Sequence, residues 1–134
     1  MAERKIMQND RASALLGMIV ERADFGHAVV SMPLRDDMMN GHDITHGGFV
    51  FAVADTAFAI ACNDDVAVTL AAGADISFLK ATTAGQTLTA TAVERSRRGR
   101  SGIYDVTVVD ETGDVVAEFR GRSVTTGRAA PVSD

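Results

Sequence analysis

A chain of 134 residues with 46% hydrophobic and 23% charged side chains supports one folded domain whose core needs no disulfide or metal staple. A net charge of −5 and a sequence pI of about 5.1 argue against binding a phosphate backbone as its main task. Cys62 is the single cysteine, which excludes an intrachain disulfide and fits a reducing cytosol.

The opening Met1-Ala2-Glu3-Arg4-Lys5 leads into no apolar signal core, so a cytoplasmic location is expected. Residues 1–8 and 129–134 are expected to be flexible ends of one domain. Asn9 to Leu16 reads as a short helix with Asn9 or Asp10 as its cap. Met18 to Ala23 and His27 to Met32 are predicted strands around an Asp24-Phe25-Gly26 turn, with Pro33 ending the second. A polar loop from Asn40 then opens a helix from Thr45 or His46 to Asn63, with Thr45 as candidate cap and Asn63-Asp64-Asp65 as its stop. Strands follow over 66–78, 87–95, 102–109 and 115–124. Alternation is cleanest in the last, where Val115, Ala117 and Phe119 face one way and Val116, Glu118 and Arg120 the other. Turns are predicted at Asp110-Glu111-Thr112-Gly113 and Arg97-Arg98-Gly99-Arg100, and residues 128–134 as a frayed tail.

One long apolar helix followed by consecutive antiparallel strands implies an α+β domain with the sheet wrapped around the helix. A single helix leaves one sheet face under-covered, so self-association is expected. The run Gly47 to Cys62 is shorter than the roughly 20 residues a membrane span needs and holds an acid in its middle; no membrane role is expected.

That acid is Asp55, the one ionisable residue in the body of a helix apolar on nearly every face. Such a helix should be buried, and an unpaired buried carboxylate is unfavourable. No Lys or Arg lies within a helical turn to compensate, which marks Asp55 as a functional acid. At the helix start, His46-Gly47-Gly48 offers free backbone N–H groups and a positive dipole end suited to a developing oxyanion. Glycine there also lets a thioester or phosphate approach the backbone. His42 and His46 stand four apart near Asp43 but in a loop-like stretch, which reads as a polar loop with one functional histidine and not as a metal site. Cys62 lies in an apolar run without a local His partner and reads as an inert core cysteine. No Gly-x-Ser-x-Gly elbow, phosphate-binding loop, dinucleotide fingerprint or Cys-x-x-Cys occurs.

Eight residues separate Gly47 from Asp55, about 12 Å along a helix, whereas a reacting carbonyl needs both groups within some 3 Å. Two antiparallel copies of the helix, with Gly47 of one facing Asp55 of the other, satisfy both. The spacing therefore predicts a homodimer whose active sites straddle its interface.

The order Asn-Gly-x-x-x-x-His-Gly-Gly from Asn40, then Ala-Asp-Thr-Ala-Phe-Ala from Ala54, then a strand ending at Ser77-Phe78-Leu79-Lys80 resembles the hotdog-fold thioesterases. Within them it resembles the phenylacetic-acid-degradation acyl-CoA thioesterase subfamily, over Leu15 to Arg128. The resemblance implies a long helix wrapped by a sheet, a continuous sheet across two protomers, and dimers pairing into a homotetramer. It implies that Asp55 activates or becomes the attacking group and that the Gly47 N–H polarises the thioester carbonyl. It further implies that Asn40 and His46 position that carbonyl or the water, with Thr56 in support and Gly48 beside the substrate. Where some relatives place a hydroxyl facing the acid, this chain has Ala72-Gly73-Ala74. No cofactor is implied, since coenzyme A is part of the substrate.

Arg95, Arg97, Arg98 and Arg100 cluster in an otherwise acidic chain, with Lys80 expected nearby in the fold. They fit either the phosphates of coenzyme A or a solvated hairpin end. Nucleic acid fits poorly, because no aromatics are interleaved for stacking. Two other activities remain open. A hotdog hydratase or dehydratase needs a His and an acid jointly placed for proton transfer, and here the acid stands alone. A non-catalytic acyl-CoA-binding module would have no need of Asp55.

Overall fold

The computed structural model describes residues 4–130. Lys5–Met7 form a 3-10 turn whose Ile6 and Met7 pack against the core; of the ends expected to be flexible, residues 1–3 and 131–134 lie outside the described residues. Helix α1 (Arg11–Leu15) is only five residues long, too short to persist without help. Asp10 supplies it, accepting the Ser13 N–H at its N-terminus. Strands β1 (Ile19–Asp24) and β2 (His27–Pro33) follow as a hairpin. Then come helix α2 (Gly47–Cys62) and strands β3 (Ala67–Phe78), β4 (Thr87–Arg98), β5 (Ser101–Val109) and β6 (Val115–Ala129).

The six strands form one sheet in the order β1-β2-β4-β5-β6-β3, with every neighbouring pair antiparallel. Helix α2 packs chiefly against β2, β4 and β5. Val50, Val53, Ala57 and Ile60 enter a core shared with Val30, Met32, Leu88, Val106 and Val108. Ala54 and Ala61 on the helix, with Ala90 and Ala92 on β4, are all buried; these small side chains allow helix and sheet to approach closely. The ring of Phe58 fills the remaining space, 5.6 Å from the Tyr104 ring centroid and 5.8 Å from that of Phe119. No helix among the described residues is long and apolar enough to cross a membrane.

The structure departs from the sequence reading at definite places. His46, not Thr45, caps α2, because the Thr45 hydroxyl is buried against Thr82, whose Oγ1 donates to it at 2.8 Å. β4 runs on to Arg98, narrowing the predicted turn to Gly99-Arg100. β6 reaches Ala129, held by pairing with β3 down to Ala67, so the tail begins later. Val109 pairs with Val115 but Val108 with Ala117, a bulge that breaks the alternation. Val116 is consequently 1% exposed and Val115 38%, the reverse of the expected facing.

Helix α2 is also not covered all round within one chain. Gly48, Phe51, Ala52, Asp55 and Ala59 retain exposure and recur at three- and four-residue steps, hence on one face. The sheet's outer face is instead polar over β5 and β6, with a bidentate Arg120–Asp105 pair, an Arg122–Asp75 pair and a Thr107–Glu118 hydrogen bond. Uncovered apolar surface includes the helix stripe and edge strand β3 with its exit, at Leu70, Phe78 and Leu79.

Candidate active site

The loop before α2 is built to hold the helix start. The Asn40 Oδ1 accepts the N–H groups of His42 and Ile44 at 2.9 and 3.3 Å, closing a turn that carries Asp43 at φ 62°. The His46 N–H donates to the Met38 carbonyl at 2.9 Å. Its ring Nδ1 accepts the Gly48 N–H at 2.9 Å, which places the ring proton of neutral His46 on Nε2. A Cβ at Gly48 would lie 3.0 Å from that Nδ1, so any larger residue there would press on the capping ring.

The Phe49 N–H donates to the His46 carbonyl at 3.0 Å. Of the first three N–H groups of α2, only that of Gly47 finds no acceptor among the described residues. Helix geometry aims such a group outward along the axis, where the dipole favours negative charge. Gly47 lines a groove of about 380 Å³ with Asn40, Thr45, Phe78, Leu79 and Thr82. A Cβ at Gly47 would come within 3.1 Å of the Phe78 ring.

Asp55 sits two helical turns further on. Its half-buried carboxylate has no ion pair or hydrogen bond among the described residues. Burial foremost, then the negative charge of Asp10, raises its pKa. It lines a second groove, of about 350 Å³, between α2 and the N-terminal segment. Thr56, next along the helix, is buried and 2.9 Å from the Ser13 hydroxyl. Ser13 in turn donates to Asp10 Oδ2 at 2.6 Å, so Thr56 is the donor in that pair.

The two grooves share no residue. Within one chain, therefore, the free N–H and the free carboxylate do not meet. His42 and His46 share no helix face, and no group of metal-ligating side chains occurs among the described residues. Burial pushes the Cys62 thiol up to about 12, which leaves it unreactive at neutral pH.

The thioesterase superfamily model matches residues 42–117, more than half of the chain and both candidate groups. The chain belongs to the thioesterase superfamily. It is 43% identical over 116 residues to the acyl-coenzyme A thioesterase PaaI of Escherichia coli K12, a match covering 87% of this chain and 83% of that one. The structure of the E. coli PaaI protein from the phenylacetic acid degradation operon superposes with a TM-score of 0.89 at 41% identity, covering 92% and 90% of the two chains. A substituted form of phenylacetic acid degradation protein PaaI from Thermus thermophilus superposes with a TM-score of 0.83 at 35% identity, covering 87% of this chain and 100% of that one. The architecture is accordingly the hotdog fold.

The cations of this thioesterase are divided between opposite ends of the sheet. Lys80, expected near the arginines, lies instead by the β5–β6 turn, because β5 runs the length of the sheet between the two turns. Its ammonium pairs with Asp110 at 2.6 Å and Asp114 at 2.8 Å. These bonds, with those from Thr112, hold the Asp110 carboxyl well below the usual range. At the β4–β5 turn, Arg95 pairs with Asp105, while Arg97 pairs with Glu94 and lies over the Phe25 ring. Arg98 and Arg100 carry no ion pair among the described residues.

Two residues at the Asp55 groove, Asp10 and Ser13, were not legible as site residues. The sequence shows Asp10 as a cap with Ser13 three positions on, which is the signature of a helix start and nothing more. Only the docking of α1 on α2 brings their side chains to the acid.

Proposed function

We propose that this protein hydrolyses acyl-CoA thioesters to a free acid and coenzyme A, with Asp55 of one copy and the Gly47 N–H of a second copy forming each site. The observation that carries the reading is the pair of unpartnered groups: one carboxylate and one helix-start N–H, about 12 Å apart along α2 and in separate grooves. Antiparallel pairing of two α2 stripes closes that gap. It also covers Phe51, 36% exposed in the single chain. Because Arg97 lies over Phe25 and the Gly26 N–H donates to the Ala61 carbonyl near the end of α2, antiparallel pairing would bring the Arg98–Arg100 turn of one copy toward the Gly47 end of the other.

In this arrangement the Gly47 N–H holds the carbonyl oxygen as it gains negative charge. Asp55 either takes a proton from water, whose hydroxide attacks the carbonyl carbon, or attacks that carbon itself to give an anhydride that water then opens. The carbon–sulfur bond breaks and coenzyme A leaves as its thiolate, which takes up a proton. Single turnover in labelled water separates the routes, since label enters the Asp55 carboxylate only through the anhydride. Asn40 uses its Oδ1 within the loop and keeps its amide N–H groups for the carbonyl. The His46 ring presents Nε2–H toward substrate, and Gly48 keeps that ring in place. Thr56 braces α1 against the helix.

No cofactor is required, because water is the only co-reactant. The similarity to PaaI proteins, whose names refer to phenylacetic acid degradation, supports arylacetyl groups such as phenylacetyl or hydroxyphenylacetyl as the acyl part. Pairing of dimers into a tetramer and a cytoplasmic setting complete the proposal.

The test is thiol release from a panel of aryl- and fatty acyl-CoA substrates by the wild type and by Asp55→Asn. Turnover by the wild type, with kcat reduced roughly 100-fold or more in the variant, is expected. Absence of thiol release on every substrate, or near-wild-type turnover by the variant, would contradict the reading.

A further inference from the structure

The groove beside Asp55 has a charge character that its apolar walls do not reveal. Ile6, Leu16, Met18 and Ala52 line it, and among the described residues of one chain the ionisable side chains on it are Asp55 and Asp10, with no lysine, arginine or histidine. Asp10 is held at both oxygens, Oδ1 by the Ser13 N–H at 2.9 Å and Oδ2 by the Ser13 hydroxyl at 2.6 Å. Both donors are neutral, and Asp10 has no ion pair among the described residues. Its charge is therefore fixed in position without being cancelled. The same charge is felt at Asp55, whose pKa it helps to raise, so it acts across the groove.

Resting on the thioesterase reading above, we propose that this groove receives the acyl group of the thioester and that Asp10 makes it reject acyl groups bearing a negative charge. The reacting carbonyl must sit beside Asp55, and one of its two substituents must run on into the space that Asp55 borders. The coenzyme A end carries phosphates that need cations, which this groove lacks and the Arg98–Arg100 turn supplies. The acyl end is left. A groove of about 350 Å³ is within the usual size of a small-molecule site, and its apolar walls suit a ring or a short chain. A carboxylate at the far end of such a chain would lose hydration and face Asp10 at close range, where screening by solvent is weak. Asp10 is thus a specificity residue: it keeps the substrate class to uncharged acyl groups, separating monoacids from diacids of equal length.

Hexanoyl-CoA and adipyl-CoA test this, since they share a six-carbon chain and differ by one terminal carboxylate. The wild type is expected to favour hexanoyl-CoA in kcat/KM by at least about tenfold. Asp10→Asn keeps the cap on α1, because asparagine caps as well as aspartate, and should shrink that preference about tenfold. Asp10→Glu retains the charge and should retain most of it. The ratio cancels any change in the chemical step common to both substrates, so a merely structural role for Asp10 would not move it. An unchanged ratio in Asp10→Asn overturns the inference while leaving thioester hydrolysis intact. Should that variant not fold, equal turnover of the two substrates by the wild type overturns it as well. If the wild type hydrolyses no acyl-CoA, the thioesterase reading fails and the inference falls with it.

Discussion

Asp55 is held in a setting that disfavours its own ionised form, through burial first and the neighbouring Asp10 second. Between the ordinary carboxylate pKa and the raised native value, the folded chain binds more protons than the unfolded one. Stability contributed by this group is therefore fully present below the ordinary value and lost as pH rises through the raised one. Asp55→Asn removes the titration. Its Tm should exceed that of the wild type at pH 7, and the gap should close as pH falls below the ordinary carboxylate range. A lower Tm for the variant at pH 7 would show that the carboxylate has a stabilising partner. Gain in stability beside loss of turnover is the trade expected of a group retained for chemistry. The unpaired setting of Asp55 was legible because its helix offers no charge partner within a turn. The contribution of Asp10 was not, since it arises from α1 docking on α2, a tertiary event that a local pattern does not record.

At the scale of elements, the strands and both helices were legible from apolar runs bounded by caps and turn residues, and the departures have local causes. The cap moved from Thr45 to His46 because a threonine hydroxyl can be claimed by a neighbouring strand exit, here through Thr82. The facing of β6 reversed at its start because one extra residue opposes β5; alternation alone does not reveal a bulge. The β4–β5 turn is the element whose role is most open to measurement. Arg95 and Arg97 are engaged within the chain, whereas Arg98 and Arg100 have no ion pair among the described residues. Arg98→Ala or Arg100→Ala should raise KM for acyl-CoA by roughly fivefold, a value set by exposed charge pairs of about 1 kcal/mol, with kcat nearly unchanged. The increase should largely vanish with an acyl-pantetheine thioester, which lacks the nucleotide. An equal effect on both substrates would return these arginines to the role of a solvated turn.

For the whole molecule, the proposed site draws one half from each of two copies. The exposed stripe of α2 and the edge of β3 at Leu70 and Phe78 are the surfaces a second copy would cover. The eight-residue spacing predicts this arrangement, and in one chain Gly47 and Asp55 line grooves that share no residue. Mixing two inactive protomers measures it directly. One carries Asp55→Asn; the other carries Gly47→Pro, which removes the N–H at a position where a helix accepts proline. A mixed dimer then holds one site with both defects and one with neither. After subunit exchange is verified by native mass spectrometry, activity per mixed dimer should recover toward half of wild type. If exchange is complete and no activity returns, each site is built within a single chain and the shared-site account is wrong.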